Sequence, residues 1–106
     1  MSLWDLLKGR DINSGLEEYR ARDNAVLIDV RSQEEYSQGR IPQSINVPVQ
    51  NMGIIRKKVK EKDTPIYTYC LSGARSGQAV SYLKSMGYSD VNNIGGINRY
   101  KGEIER

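Results

Sequence analysis

The run Ala25-Val26-Leu27-Ile28-Asp29-Val30 is apolar on both alternations of an extended strand until charge ends it. No other stretch limits the possible folds so strongly. A strand with two apolar sides needs cover on both faces, as in a parallel sheet with helices above and below. The rest of the chain alternates short β-branched runs with helical patterns, the order of βαβ units. No repeat, low-complexity tract or Gly/Ser/Pro linker divides the 106 residues, a length that suits one domain with a substantial core. The expectation is therefore an α/β single domain over residues 1–106, with a mostly parallel central sheet of about five short strands flanked by helices on both faces.

Local signals place the elements. Asn13 or Ser14 is expected to cap a helix through about Arg22, because Ser14 and Glu17 have capping-box spacing and Leu16 and Tyr19 form an apolar side. Ser32 and Glu35 repeat that spacing for a short helix ended by Gly39, and Ile45-Asn46-Val47 reads as a short strand between Pro42 and Pro48. From Val49 to Lys62 a surface helix is expected, with Met52, Ile54, Ile55 and Val59 inward and Arg56, Lys57, Lys58 and Lys60 outward. Pro65 to Tyr69 is a strand, and Ser76 to Met86 a helix with Ala79, Val80, Leu83 and Met86 inward and Gly87 as its stop. Asp90 to Ile94 forms the last strand, after which Gly95-Gly96 turns into a short helix near Asn98 to Tyr100.

Composition narrows the function. The net charge of +3, from 16 basic and 13 acidic residues, is too weak a footprint for nucleic acid. It suits small anionic substrates. The basic run from Arg56 to Lys62 reads as a solvated helix face; its functional alternative is a docking surface for an acidic partner. Met1 to Lys8 lacks a signal-peptide pattern and no apolar run approaches a membrane span, so no membrane role is expected and a cytoplasmic location is. Leu3, Trp4, Leu6 and Leu7 are expected to form a short apolar helix packed on the domain, or a contact that makes a weak homodimer of a monomer.

The only cysteine, Cys70, closes the apolar run Ile66-Tyr67-Thr68-Tyr69 and opens Leu71-Ser72-Gly73-Ala74-Arg75-Ser76. A lone thiol forms no internal disulfide, which agrees with a reducing compartment. Ligands in parallel α/β sheets bind beyond the carboxyl ends of strands, where Cys70 falls. The chain has no histidine, so activation of this thiol must come from loop amides, a helix N-terminus or arginine. Free thiols titrate near about 8.5 and are mostly protonated at neutral pH; positive partial charge favours the thiolate. Gly73 supplies the unusual backbone angles that a loop wrapped round an anion needs.

Five stretches in order carry a resemblance: Leu27-Ile28-Asp29-Val30-Arg31, Glu34-Glu35-Tyr36, Gly39 through Pro48, Tyr69 through Ser76, and Gly95-Gly96-Ile97 before Tyr100. Together they resemble the rhodanese (sulfurtransferase) domain family, over a core of about 12–102. The chain departs from the family's usual residues at Arg40, where histidine is typical, and at Tyr100, where tryptophan is frequent, a wall near the edge of the site.

The resemblance implies a double displacement in which the Cys70 thiolate takes a sulfane sulfur from a donor such as thiosulfate, becomes a persulfide and passes the sulfur to a thiol, protein or cyanide acceptor. It implies no cofactor and no metal. Leu71, Ser72, Gly73, Ala74, Arg75 and Ser76 would form the substrate-binding loop. Its six residues from Cys70 to Arg75 favour a sulfur atom over the tetrahedral oxyanion held by the longer loops of related phosphatases and arsenate reductases. A sulfur-relay or partner-docking module with little small-molecule turnover is the alternative. Arg75 would balance the persulfide or hold the sulfonate end of a donor, or else bond loop carbonyls as a structural residue. Ser72 and Ser76 could donate to the persulfide, although helix capping is the preferred role of Ser76. Asp29 and Arg31 read as a buried or semi-buried ion pair beside Glu35, not as catalytic groups.

Overall fold

The computed structural model describes residues 11–106. The expected apolar helix around Trp4 lies outside them. Four strands, β1 (Val26–Asp29), β2 (Ile45–Asn46), β3 (Ile66–Cys70) and β4 (Val91–Gly96), pair in the order β2-β1-β3-β4. Every pairing is parallel. The sheet has four strands where about five were expected; outside it, among the described residues, one isolated antiparallel bridge joins Arg40 to Glu105.

Alternation along β1 and β3 builds a core on each face. Ile28, Ile66 and Cys70 point into a cluster with Val47, Met52, Ile55, Ala79 and Leu83. Leu27, Tyr67 and Tyr69 point into the other, with Ile12, Leu16, Ile41 and Ile94. Helix α1 (Ile12–Arg20) covers the second face and α4 (Ala74–Ser85) the first. All five residues of β3 are buried, as a central strand requires.

Several local expectations are corrected. Helix α1 is capped by Asp11, whose carboxylate accepts from the Asn13 N–H at 2.8 Å, and ends at Arg20. The buried pair Ile12 and Leu16 sets the helix phase one turn earlier than a cap at Ser14 would allow. Asn13 instead links α1 to the C-terminal segment, donating to the Arg99 carbonyl and accepting from the Lys101 N–H. Helix α2 (Gln33–Gln38) has the expected capping box between Ser32 and Glu35 and ends at Gly39.

The basic segment is not one helix but a 3-10 stretch, Val49–Ile54, followed by a single α turn, α3 (Ile55–Lys58). Asn51 leaves helical angles at φ −111°, so Val49, Met52, Ile55 and Val59 reach the core while Ile54 turns outward. Helix α4 begins at Ala74, two residues before the expected start. Gly95-Gly96 continues β4 instead of turning out of it, because β4 shifts register and pairs Gly96 with Cys70. A Cβ at Gly96 would stand 2.6 Å from the Ser72 Cα, so only glycine lets β4 approach the loop after Cys70. A short 3-10 turn, Ile97–Arg99, follows.

Candidate active site

Cys70 is the last residue of β3 and is 1% exposed. Strand β3 delivers the side chain onto the face covered by α4, and the chain must then reverse to start that helix. Gly73 makes the reversal at φ +108°, a backbone region that side chains penalise. The bend aims two main-chain donors at the sulfur: the Gly73 N–H lies 3.0 Å and the Ser76 N–H 3.3 Å from Sγ. Both belong to the first turn or cap of α4, whose initial N–H groups have no helical partner. Amides that converge at a helix N-terminus favour a negative charge at the atom they face.

The loop is braced from β4. Asn93 donates from its side-chain amide to the Gly73 carbonyl at 3.1 Å and accepts from the Gly95 N–H at 2.9 Å. Asn98 donates its N–H to the Leu71 carbonyl at 3.2 Å. Sequence reasoning did not single out Asn93. Its signal was an Asn-Asn pair inside an otherwise apolar strand, where amide side chains stay only with partners to bond.

Ser76 is fully buried, and its hydroxyl bonds the Thr68 hydroxyl of β3. The capping role expected of Ser76 is therefore corrected: Gly73 is the N-cap and offers no side chain, and the Ser76 hydroxyl pins α4 to the sheet while its N–H faces Cys70. Leu71, Ser72 and Ala74 are exposed on the loop's outer side, Leu71 by 49%.

Arg75 bonds no loop carbonyl. Its guanidinium grips Glu35 with both terminal nitrogens, at 2.7 and 3.0 Å. Glu35 also accepts from the N–H and hydroxyl of Ser32, at 3.1 and 3.0 Å. The Arg75 bonds, outweighing the opposing effect of burial and aided by Ser32, lower the Glu35 carboxyl to about 2. The same pairing raises Arg75, with a smaller contribution from Cys70. Glu35 thus ties α2 to the loop across 40 residues of sequence.

Asp29 and Arg31 form the buried ion pair expected of them. The Arg31 Nη2 is 2.7 Å from the Asp29 carboxylate and 2.6 Å from the Gly39 carbonyl, and neither side chain reaches the sulfur through a hydrogen bond. Tyr69 closes the same corner: its hydroxyl donates to Ser44 Oγ and accepts from the Ile41 N–H, both at 3.1 Å, and burial pushes its ionisation above the usual tyrosine range. Arg40 pairs with Glu105 at 3.1 Å and stacks over Tyr36. Tyr100 packs against the α1-side core and donates to the Glu103 carbonyl, which places it in the domain's packing.

The model of the rhodanese-like domain family matches residues 13–103 of this sequence. The chain belongs to the rhodanese-like family. Relatives of this rhodanese-like chain include the thiosulfate sulfurtransferase PspE of Escherichia coli, 39% identical over 71 residues, covering 66% of this chain and 68% of that protein. The adenylyltransferase and sulfurtransferase uba4 of Ogataea parapolymorpha is 35% identical over 97 residues, or 91% of this chain. The chain spans 25% of that longer protein. Among solved structures, a rhodanese with anions from E. coli superposes with a TM-score of 0.73 at 34% identity, covering 77% of this chain and 98% of that one. The relatives' names place the family in sulfur transfer. Among the described residues no helix is long and apolar enough to cross a membrane.

Proposed function

We propose that this rhodanese-like domain is a sulfurtransferase that carries sulfane sulfur as a persulfide on Cys70. The observation that carries the reading is the pair of amides, from Gly73 and Ser76, directed at Sγ from the start of α4. A thiolate held there attacks the terminal sulfur of a donor, the donor's sulfur–sulfur bond breaks with its electron pair leaving on the donor remainder, and the persulfide forms. The amides that faced the thiolate then face a second anion of similar charge, so the cradle serves both half-reactions. An acceptor thiolate or cyanide takes the outer sulfur and restores Cys70. The loop from Leu71 to Ser76 is the substrate-binding loop in this reading, with residues 12–102 as the core of one domain. Thiosulfate is one candidate donor.

A relay role inside a larger assembly is the second reading, favoured by the match to one quarter of a longer sulfurtransferase. A lone thiol of this kind works in a reducing compartment such as the cytoplasm. The test is turnover: sulfane donor plus cyanide should yield thiocyanate with the wild-type protein and none with Cys70→Ser. Equal turnover by the two proteins would overturn the reading. A persulfide that passes to a protein thiol much faster than to cyanide would select the relay role.

A further inference from the structure

The basic segment takes no part in the chemistry proposed for Cys70. Five of the 16 basic residues and one of the 13 acidic residues fall within residues 49–62, so this segment alone accounts for the net charge of +3 and the rest of the chain is nearly balanced. Arg56, Lys57, Lys58 and Lys60 are exposed, and among the described residues none of the four is paired with a carboxylate. Lys62 differs, since its Nζ donates to the Met86 carbonyl at 3.0 Å.

Beside these cations the surface is apolar and concave. Val49, Gln50, Met52 and Gly53 of the 3-10 stretch face Tyr82 and Met86, at the end of α4, across an open groove of about 230 Å³. Tyr82 is 49% exposed, an apolar ring with a polar tip of the kind that interfaces favour. Ile54, next to Gly53, is 42% exposed, and it shares the i, i+3, i+4 spacing of one helical side with Lys57 and Lys58. Apolar contact and positive charge therefore meet on one surface. A Cβ added at Gly53 would find nothing within 4 Å, so the groove is bare backbone at that point. Met52 and Met86, unbranched and polarisable, let the walls adapt to what enters. The groove begins near the catalytic end of the sheet. The Val49 N–H donates to the Val30 carbonyl at 3.1 Å, and the Val30 N–H donates to the carbonyl of Tyr69, the neighbour of Cys70.

We propose that this groove is a docking site for an acidic segment of a partner protein, which inserts one large apolar side chain between Gly53 and Tyr82 and lays its carboxylates along Lys57 and Lys58. The groove is smaller than the about 300–1,000 Å³ of small-molecule sites and suits a single side chain. Unpaired cations at its rim call for negative charge, and they set like charges against each other if two copies of this face meet. A membrane-binding surface presents a continuous projecting apolar face, whereas here the apolar surface is recessed. No residue of the groove bonds Cys70, so the inference stands apart from the persulfide reading.

The test uses the full chain and a fluorescein-labelled peptide with one central leucine between four acidic residues on each side. Fluorescence anisotropy at low salt should show binding, about tenfold weaker when alanine replaces the leucine. The double variant Lys57→Glu/Lys58→Glu should also weaken it about tenfold, and raising salt from about 50 to about 250 mM at least about threefold. Gly53→Leu, which puts a side chain into the open space, should weaken binding by a similar factor while Tm stays at the wild-type value. Backbone amide shifts on titration should concentrate at residues 49–58 and 82–86. Cys70→Ser should bind as wild type does, so failure of the persulfide reading leaves this result readable. Absence of binding to the acidic peptide, an affinity unchanged in the lysine and glycine variants, or shifts centred on residues 71–76 would overturn the inference. Tighter binding to vesicles of phosphatidylserine and phosphatidylcholine than to the peptide, or dimerisation through this face, would overturn it as well by assigning the groove another occupant.

Discussion

Gly73 and Gly87 form a matched pair that separates backbone strain from chemistry. Both have left-handed backbone angles, φ +108° and +98°, and at both an added Cβ finds room, its nearest neighbour being 3.4 Å away at Gly73 and 3.9 Å at Gly87. Alanine at either position therefore introduces strain without a clash, at a cost of about 1–2 kcal/mol. For a domain of this size that lowers Tm by roughly 5–15 °C. The chemistry differs between them. The Gly73 N–H donates to Cys70 Sγ at 3.0 Å, whereas the Gly87 N–H donates to the Lys84 carbonyl at the far end of α4. If the backbone of Gly73→Ala relaxes toward negative φ, the N–H at that position swings off the sulfur. A hydrogen bond to a charged group contributes about 1.5–3 kcal/mol, so sulfur loading should slow by roughly 10- to 100-fold. Thermal melts and single-turnover loading of Gly73→Ala and Gly87→Ala check this: similar losses in Tm, with a large rate loss confined to Gly73→Ala. Equal rates in the two variants would refute the claim that the loop amide acts on the sulfur.

Three further outcomes follow from the same contacts. Glu35 has a folded-state carboxyl near 2 against a reference of 4.5, so its stabilisation is complete above about pH 4.5 and disappears as pH falls toward 2. With the pair about one-third exposed, urea titrations of wild type and Glu35→Gln should differ by about 1–2 kcal/mol at pH 6, and the difference should shrink steadily below about pH 4.5 as pH falls toward 2; a difference independent of pH would contradict the pairing. Gln43 is the one non-glycine residue with positive φ among those described, at +74°, and Gln43→Gly should raise stability by about 0.5–1 kcal/mol in the same titration; a loss would show that its side chain makes a compensating contact. Ser76→Ala removes a buried hydroxyl pair with Thr68 and should cost about 1–2 kcal/mol, yet alter sulfur loading by less than about threefold because the Ser76 N–H stays in place; a larger rate loss would mean that the hydroxyl itself serves the sulfur.

What could be read in the sequence was local, or repeated along a strand. The two-sided apolar character of β1 and β3 specified a sheet covered on both faces, and the structure has it. The Ser32–Glu35 box closes within one helical turn, and Gly73 punctuates a loop that needs an unusual φ. Contacts between distant segments left weaker traces. Nothing in residues 33–38 indicated that Glu35 would serve Arg75, because the pairing depends on how α2 and the α4 start meet above the sheet. Gly95-Gly96 resembled a turn; the register shift of β4 and the close approach to Ser72 made it a strand end. The sequence pointed to Asn13 or Ser14 as the cap of α1, whereas burial of Ile12 and Leu16 puts the helix start earlier, with Asp11 as its cap. The basic segment offered a helical period, but the non-helical Asn51 divides it.

Intact-protein mass after brief exposure to thiosulfate and, separately, to benzenethiosulfonate, followed by fragment mapping, tests the central claim most directly. The account expects one added sulfur atom per chain, located on Cys70, removed by cyanide and absent from Cys70→Ser. Wild-type protein that keeps its original mass with both donors, or that carries the added sulfur anywhere but Cys70, would contradict it.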